Sequence, residues 1–124
     1  MKVAETIDAL MSTFSIASAD ERLAKIRALV GDDFVFVNPG FVTVGPEALS
    51  DAFGEFMAFL DNAVRIARTS EVELHHEHFR YSWVRYRGDQ IEMEGCDFGW
   101  IDNAGELRRL VVFDHLVPRR LLSE

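Results

Sequence analysis

The feature that most restricts this chain is a change of hydrophobic period near residue 64. Before it, apolar residues recur every three or four positions, the repeat of an amphipathic helix; after it they alternate, the repeat of a strand. Val3, Ile7, Leu10, Phe14 and Ala17 make the first helical stripe. Ser18-Ala19-Asp20-Glu21 reads as a capping box opening a second helix, with Leu23, Ile26, Leu29 and Val30 turned inward and Gly31 as its left-handed stop. Phe34-Val35-Phe36-Val37 is a short strand ended by Asn38-Pro39-Gly40. Gly45-Pro46-Glu47 starts a third helix whose stripe is Leu49, Phe53, Phe56 and Leu60, widened by Ala52 and Phe59. Strands are expected over 64–76, 78–87, 91–102 and 106–117. Arg87-Gly88-Asp89-Gln90 and Asp102-Asn103-Ala104-Gly105 are hairpin connections. Helices followed by a meander mean an α+β fold, with the helices covering one face of a curved, mainly antiparallel sheet.

The chain has 124 residues, which suits one domain over 1–124. Its 48% hydrophobic content and ten Phe can build a core without metal or disulfide staples. Thirteen Lys and Arg against 21 Asp and Glu give a net charge of -8. The arginines are scattered, so phosphate backbones and anionic membranes are repelled, and neither nucleic acid nor membrane is an expected partner. The single cysteine, Cys96, allows no intrachain disulfide and no Cys-rich zinc site, and fits a reducing compartment. Glu5 and Asp8 interrupt any signal-peptide run, and no apolar stretch approaches the roughly 20 residues of a membrane span. A cytoplasmic domain is expected. No phosphate loop, zinc pattern or nucleotide fingerprint is present, so no cofactor is expected.

Alternation divides the later strands into faces. Glu71, Glu73, His75 and Glu77 share one face, and Val72, Leu74, His76 and His78 the other. Ile91, Met93, Gly95, Asp97, Gly99 and Ile101 lie opposite Cys96, Phe98 and Trp100. Both faces of that strand carry apolar weight. Helices cover one face only, so the other is expected to meet a second copy in a homodimer.

Five anchors in order carry a family resemblance: Phe34–Pro39, Gly45–Leu49, Phe79–Trp83, Gly95–Phe98 and Asp102–Leu107. On these, nearly the whole chain resembles the SnoaL-like branch of the nuclear transport factor 2-like superfamily. The resemblance implies a cone, in which three N-terminal helices fold over a strongly bent sheet and leave an apolar ligand pocket at the open end. Relatives of that fold include ketosteroid isomerases, polyketide cyclases, epoxide hydrolases, dehydratases and non-catalytic binding subunits. Only individual residues decide among them.

Asp97 is the strongest candidate. A carboxylate is disfavoured mid-strand, and Gly95 and Gly99 on its own face leave room for a ligand. Inside an apolar cone desolvation would raise its pKa, and a neutral acid can donate to a substrate oxygen. The resemblance places it where the isomerases keep an oxyanion-stabilising Asp and the cyclases an acid/base Asp. The alternative is a strand carboxylate that is solvated, or salt-bridged to Arg80 or Arg85; Arg80 also has Glu94 within reach across the hairpin. Asn38 departs from the isomerase pattern, which has a proton-moving Asp before the Pro; an amide is no base, but it can orient a carbonyl or simply form a turn. Phe14 stands where the isomerases place a Tyr. His78 is the candidate proton shuttle. His76 and His78, two apart, lack an identifiable third ligand, so no metal site is expected. Asp114 and His115 are candidates for the pocket rim. Alternation puts Arg80 and Trp83 on opposite faces. Phe14, Phe36, Phe53, Phe56, Met93 and Trp83 are the expected pocket walls for a hydrophobic small molecule. Cys96, on the face opposite Asp97, is structural.

Two functions follow. One is an acid/base enzyme acting on a hydrophobic carbonyl-type metabolite by cyclisation, isomerisation or dehydration, with Asp97, Asn38 and His78 as its catalytic set. The other is a non-catalytic binding or assembly module of the same fold.

Overall fold

The structure is a computed structural model that describes residues 3–116. Three helices, α1 (Val3–Ser12), α2 (Ala19–Leu29) and α3 (Pro46–Phe59), pack on a curved, unclosed sheet. Its strands are β1 (Val30–Val37), β2 (Val42–Val44), β3 (Val64–Arg68), β4 (Glu73–His75), β5 (His78–Arg87), β6 (Gln90–Ile101) and β7 (Leu107–Leu116). They run in the order β2-β1-β7-β6-β5-β3, with β4 also paired to β5. All pairings are antiparallel except β1 with β7, which makes the sheet mixed. The core lies between the helices and one sheet face, around Ile7, Leu10, Ile26, Phe34, Leu49 and Phe53.

Local chemistry explains the helix ends. The first stripe stops early: α1 ends at Ser12 and a 3₁₀ turn (Thr13–Ser15) follows, its start held by Thr13 Oγ1 donating to the Leu10 carbonyl at 2.6 Å. Ala17 is therefore outside the helix and exposed. The Ser18 cap forms as expected, its Oγ accepting from Glu21 N–H at 3.3 Å. Gly31 is not a left-handed stop. The chain passes from Leu29 straight into β1, which starts four residues before the expected strand, and a Cβ on Gly31 would overlap the Glu106 carboxylate. In α3, Met57 is buried and Phe59 is 83% exposed, so Phe59 faces out instead of widening the stripe.

The expected strand over 64–76 is two strands. Between them Ser70 Oγ accepts the Ser82 N–H at 2.8 Å, so a side chain replaces the ladder and the edge strand is interrupted. β4 and β5 are joined by a tight turn at His76–Glu77, where His76 takes φ 58°. His76 and His78 thus do not share a strand. A second irregularity matters more. The β5–β6 ladder begins at Arg87↔Gln90 and Tyr86↔Ile91, then shifts so that Arg85 faces Met93 and Glu92 is the extra residue of a bulge. Ile91 is turned away from Met93 and Asp97 by this shift and lies exposed opposite Tyr86.

Candidate functional site

The bulge decides what Asp97 meets. Carried from the turn without interruption, the ladder would set Asp97 opposite Arg80, the pairing the sequence suggests. One residue of slip sets Tyr81 there instead and puts Arg80 opposite Phe98. Arg80 then lies on the outer face and pairs with Glu73 at 3.0 Å. Arg85, also offered as a partner for Asp97, pairs with Glu92 at 2.7 Å.

Phe79, Tyr81 and Trp83 alternate along β5 on the concave face, directly opposite Gly99, Asp97 and Gly95 of β6. The glycines do make room, but protein fills it. A Cβ on Gly99 would overlap the Phe79 ring, and one on Gly95 would overlap the Trp83 indole and the Phe113 carbonyl. The two rings close over the backbone on either side of Asp97, which is 4% exposed. Tyr81 Oη donates to Asp97 Oδ2 at 2.5 Å, and Trp83 Nε1 donates to Oδ1 at 2.7 Å. Both donors favour the ionised carboxylate, yet burial opposes it more strongly. The Asp114 charge acts in the same direction as burial, and the carboxyl is pushed up to about 7. Burial and the neighbouring Asp97 charge hold the Tyr81 phenol well above its usual range. Sequence reading passed over Tyr81, although it shares the alternation of Phe79 and Trp83.

Asp97 borders a cavity of about 60 Å³ between α1, α3 and the sheet. Phe14, Phe36, Phe53, Phe56 and Trp83 line it, with Phe14 stacked on Phe53 at a centroid distance of 4.0 Å. Met93 does not; it packs half-buried against the core beside Arg85. Asn38 lines the cavity from the end of β1. Its Oδ1 accepts from Gly40 N–H at 2.8 Å and Phe41 N–H at 2.9 Å, so the oxygen is committed to the turn and the amide NH₂ is the group left for a ligand. Arg85 and Asp114 are the remaining charged residues of the lining, and Asp114 is exposed.

His78 is not part of this constellation. It sits exposed opposite Trp100, near Glu73, His75 and Arg80 and away from the cavity, because its alternation is opposite to that of Phe79 and Tyr81. The His115 side chain and residue 117 lie outside the described residues. Cys96 faces away from Asp97, opposite Ser82, and burial raises its thiol pKa, so no activated thiol is present there. Among the described residues, no group of three or more His, Cys, Asp or Glu could hold a metal ion. A larger groove of about 620 Å³, between the 3₁₀ turn, α2 and α3, has Arg22 on its wall.

No family model matches this sequence, and no curated protein matches it. Solved structures do. A candidate isomerase of the SnoaL-like family from Agrobacterium tumefaciens str. C58 is 13% identical with a TM-score of 0.79, covering 93% of this chain and 97% of that one. An NTF2-like protein of unknown function from Cytophaga hutchinsonii ATCC 33406 is 10% identical, TM-score 0.62, covering 98% and 96%. A de novo designed protein with a curved β-sheet is 12% identical, TM-score 0.61, covering 99% and 95%. At these identities the likeness is one of backbone, and it says that this chain has the SnoaL-like, NTF2-like fold.

Proposed function

We propose that the chain is a cofactor-independent acid–base enzyme for a compact, hydrophobic carbonyl compound, with Asp97 as the acid. One observation carries this reading: a carboxyl group buried in an apolar cavity, held on both oxygens and poised to protonate near neutral pH. When Asp97 is neutral, its proton lies on Oδ2 towards Tyr81 Oη, which frees the phenol hydrogen for a ligand in the cavity. The phenol, itself accepting from the carboxyl, is then the donor for a carbonyl oxygen that gains charge in the transition state. Asn38 NH₂ supplies a further donor. The aromatic walls exclude water, which strengthens each of these interactions.

A binding module without turnover is the second reading, and the cavity volume favours it. About 60 Å³ is far below the roughly 300–1,000 Å³ of ordinary small-molecule sites. A substrate must be small or must part Phe14 and Phe56. Native mass spectrometry of freshly purified protein, followed by kinetics of Asp97→Asn on any retained compound, separates the two. A retained carbonyl compound turned over by the wild type and not by Asp97→Asn supports the enzyme. A compound bound equally by both and never converted supports the module.

The same protein is proposed to work as a homodimer through the outer sheet face. Phe98, Trp100 and Phe113 stand exposed there, and Phe98 meets Phe113 edge-on at 5.7 Å. Among the described residues no helix is long and apolar enough to cross a membrane.

A further inference from the structure

The acid–base reading leaves one role empty. Enolisation needs a base as well as an acid, and Asn38 stands where a base would be expected but cannot accept a proton. The cavity supplies another carboxylate. Asp114 lines it, is exposed, and has neither hydrogen bond nor ion pair among the described residues. Its place follows from the ladder. Asp97 pairs with Val112 and Gly95 with Asp114, so the two acids are diagonal neighbours on adjacent strands of the concave face. Such positions lie about 7–8 Å apart. That span accommodates a carbonyl oxygen hydrogen-bonded at the floor with its α carbon turned towards the rim. The two carboxyls differ in the property that assigns roles. Asp97 is sealed and doubly held, whereas Asp114 is open to solvent at the rim. The other charged or titratable groups lining this space are Tyr81 and Arg85 of β5, the latter engaged by Glu92; α1, α3, β1 and β3 contribute none.

We infer that Asp114 is the proton acceptor that acts across the cavity from Asp97, on a small ketone with an acidic α C–H. This assignment rests on the acid–base reading above. The C–H bond breaks and its proton passes to an Asp114 oxygen. Its electron pair becomes the C=C bond, the carbonyl π pair moves onto oxygen, and that oxygen takes the proton that Asp97 supplies through Tyr81. Reversal, or return of the Asp114 proton to another carbon of the enol, restores both carboxyls without a co-reactant.

The test uses cyclopentanone in D₂O, with loss of its α hydrogens followed by proton NMR. The wild type is expected to exceed buffer, and Asp114→Asn to be about 100-fold slower or worse with an unchanged unfolding midpoint. Asp114→Glu is expected to recover part of the rate, with the acid limb of its pH profile displaced and the limb near 7 in place. A carboxyl carbon-13 titration should show the Asp97 midpoint falling in Asp114→Asn. Exchange by Asp114→Asn within about twofold of wild type, while Asp97→Asn fails, overturns the base and leaves the acid. A wild type no faster than buffer overturns the acid–base reading and the base with it. An Asp97 midpoint unmoved by Asp114→Asn overturns the coupling of the two carboxyls whatever the kinetics show.

Discussion

At the scale of the residue, Asp97 sets how the protein responds to pH. Its folded pKa is about 7, against roughly 3.9 for an unfolded Asp. Between those values the native state holds more protons than the unfolded chain, so stability falls as pH rises, by at most about 1.4 kcal/mol per pH unit. Above pH 8 the penalty is complete and the dependence flattens. Asp8 and Glu92 act in the opposite sense, because hydrogen bonds from Arg68 and Arg87 lower their pKa values; their contribution is lost on acidification. The wild-type curve therefore mixes both effects, and a difference curve separates them. Asp97→Asn keeps an oxygen for Trp83 N–H and an NH₂ for the Tyr81 oxygen, so the variant should fold. Its stability relative to wild type should improve steadily from pH 4 to 8 in denaturant titrations; a constant difference would show that Asp97 is ionised throughout. The neighbouring glycines are equally exacting. Gly99→Ala should cost about 1–3 kcal/mol, since the new methyl displaces the Phe79 ring from the backbone it covers.

At the scale of the element, the β5–β6 hairpin and the α2–α3 pair each depend on one residue. The bulge at Glu92 holds two guanidinium groups, Arg85 and Arg87, both at 2.7 Å, and changes the register on which the site depends. Alternation predicted the faces of β6 beyond this point correctly, with Asp97 inward and Cys96, Phe98 and Trp100 outward. It could not predict the partner strand's offset, because a bulge has no reliable sequence mark. Tyr81 was missed for that reason. Arg22 was missed for another: a charged residue in a helix reads as solvated. Here it is 8% exposed, with Nε donating to Ser50 O at 3.0 Å and Ser50 Oγ at 3.1 Å, and Nη1 to Ile16 O at 2.9 Å. It brackets the 3₁₀ turn and α2 to α3. Arg22→Ala should destabilise by about 2–3 kcal/mol in urea titrations, since it removes charge-assisted bonds from buried carbonyls. A loss below 0.5 kcal/mol, the range of ordinary surface changes, would show that water replaces them freely.

At the scale of the whole molecule, the helices cover one sheet face and leave the other to solvent or to a partner. Charge placed on that face tests the choice. Phe98→Asp combined with Trp100→Asp should convert a dimer into a monomer in sedimentation velocity while the Asp97 titration stays in place. If the wild type already sediments as a monomer, the interface is wrong. By itself, the sequence determined the order of the three helices and of the longer strands, the inward position of Asp97 and the apolar character of its surroundings; it showed no β2 and ran β3 and β4 together. Period and capping are local properties that a single chain displays residue by residue. What only the tertiary structure decided was who meets whom: Tyr81 rather than Arg80 at Asp97, aromatic rings rather than ligand over the glycines, Asp114 rather than His78 at the cavity. Those outcomes depend on ladder register and on contacts between residues distant in the chain. A shift of one residue there exchanges every partner without altering the local pattern.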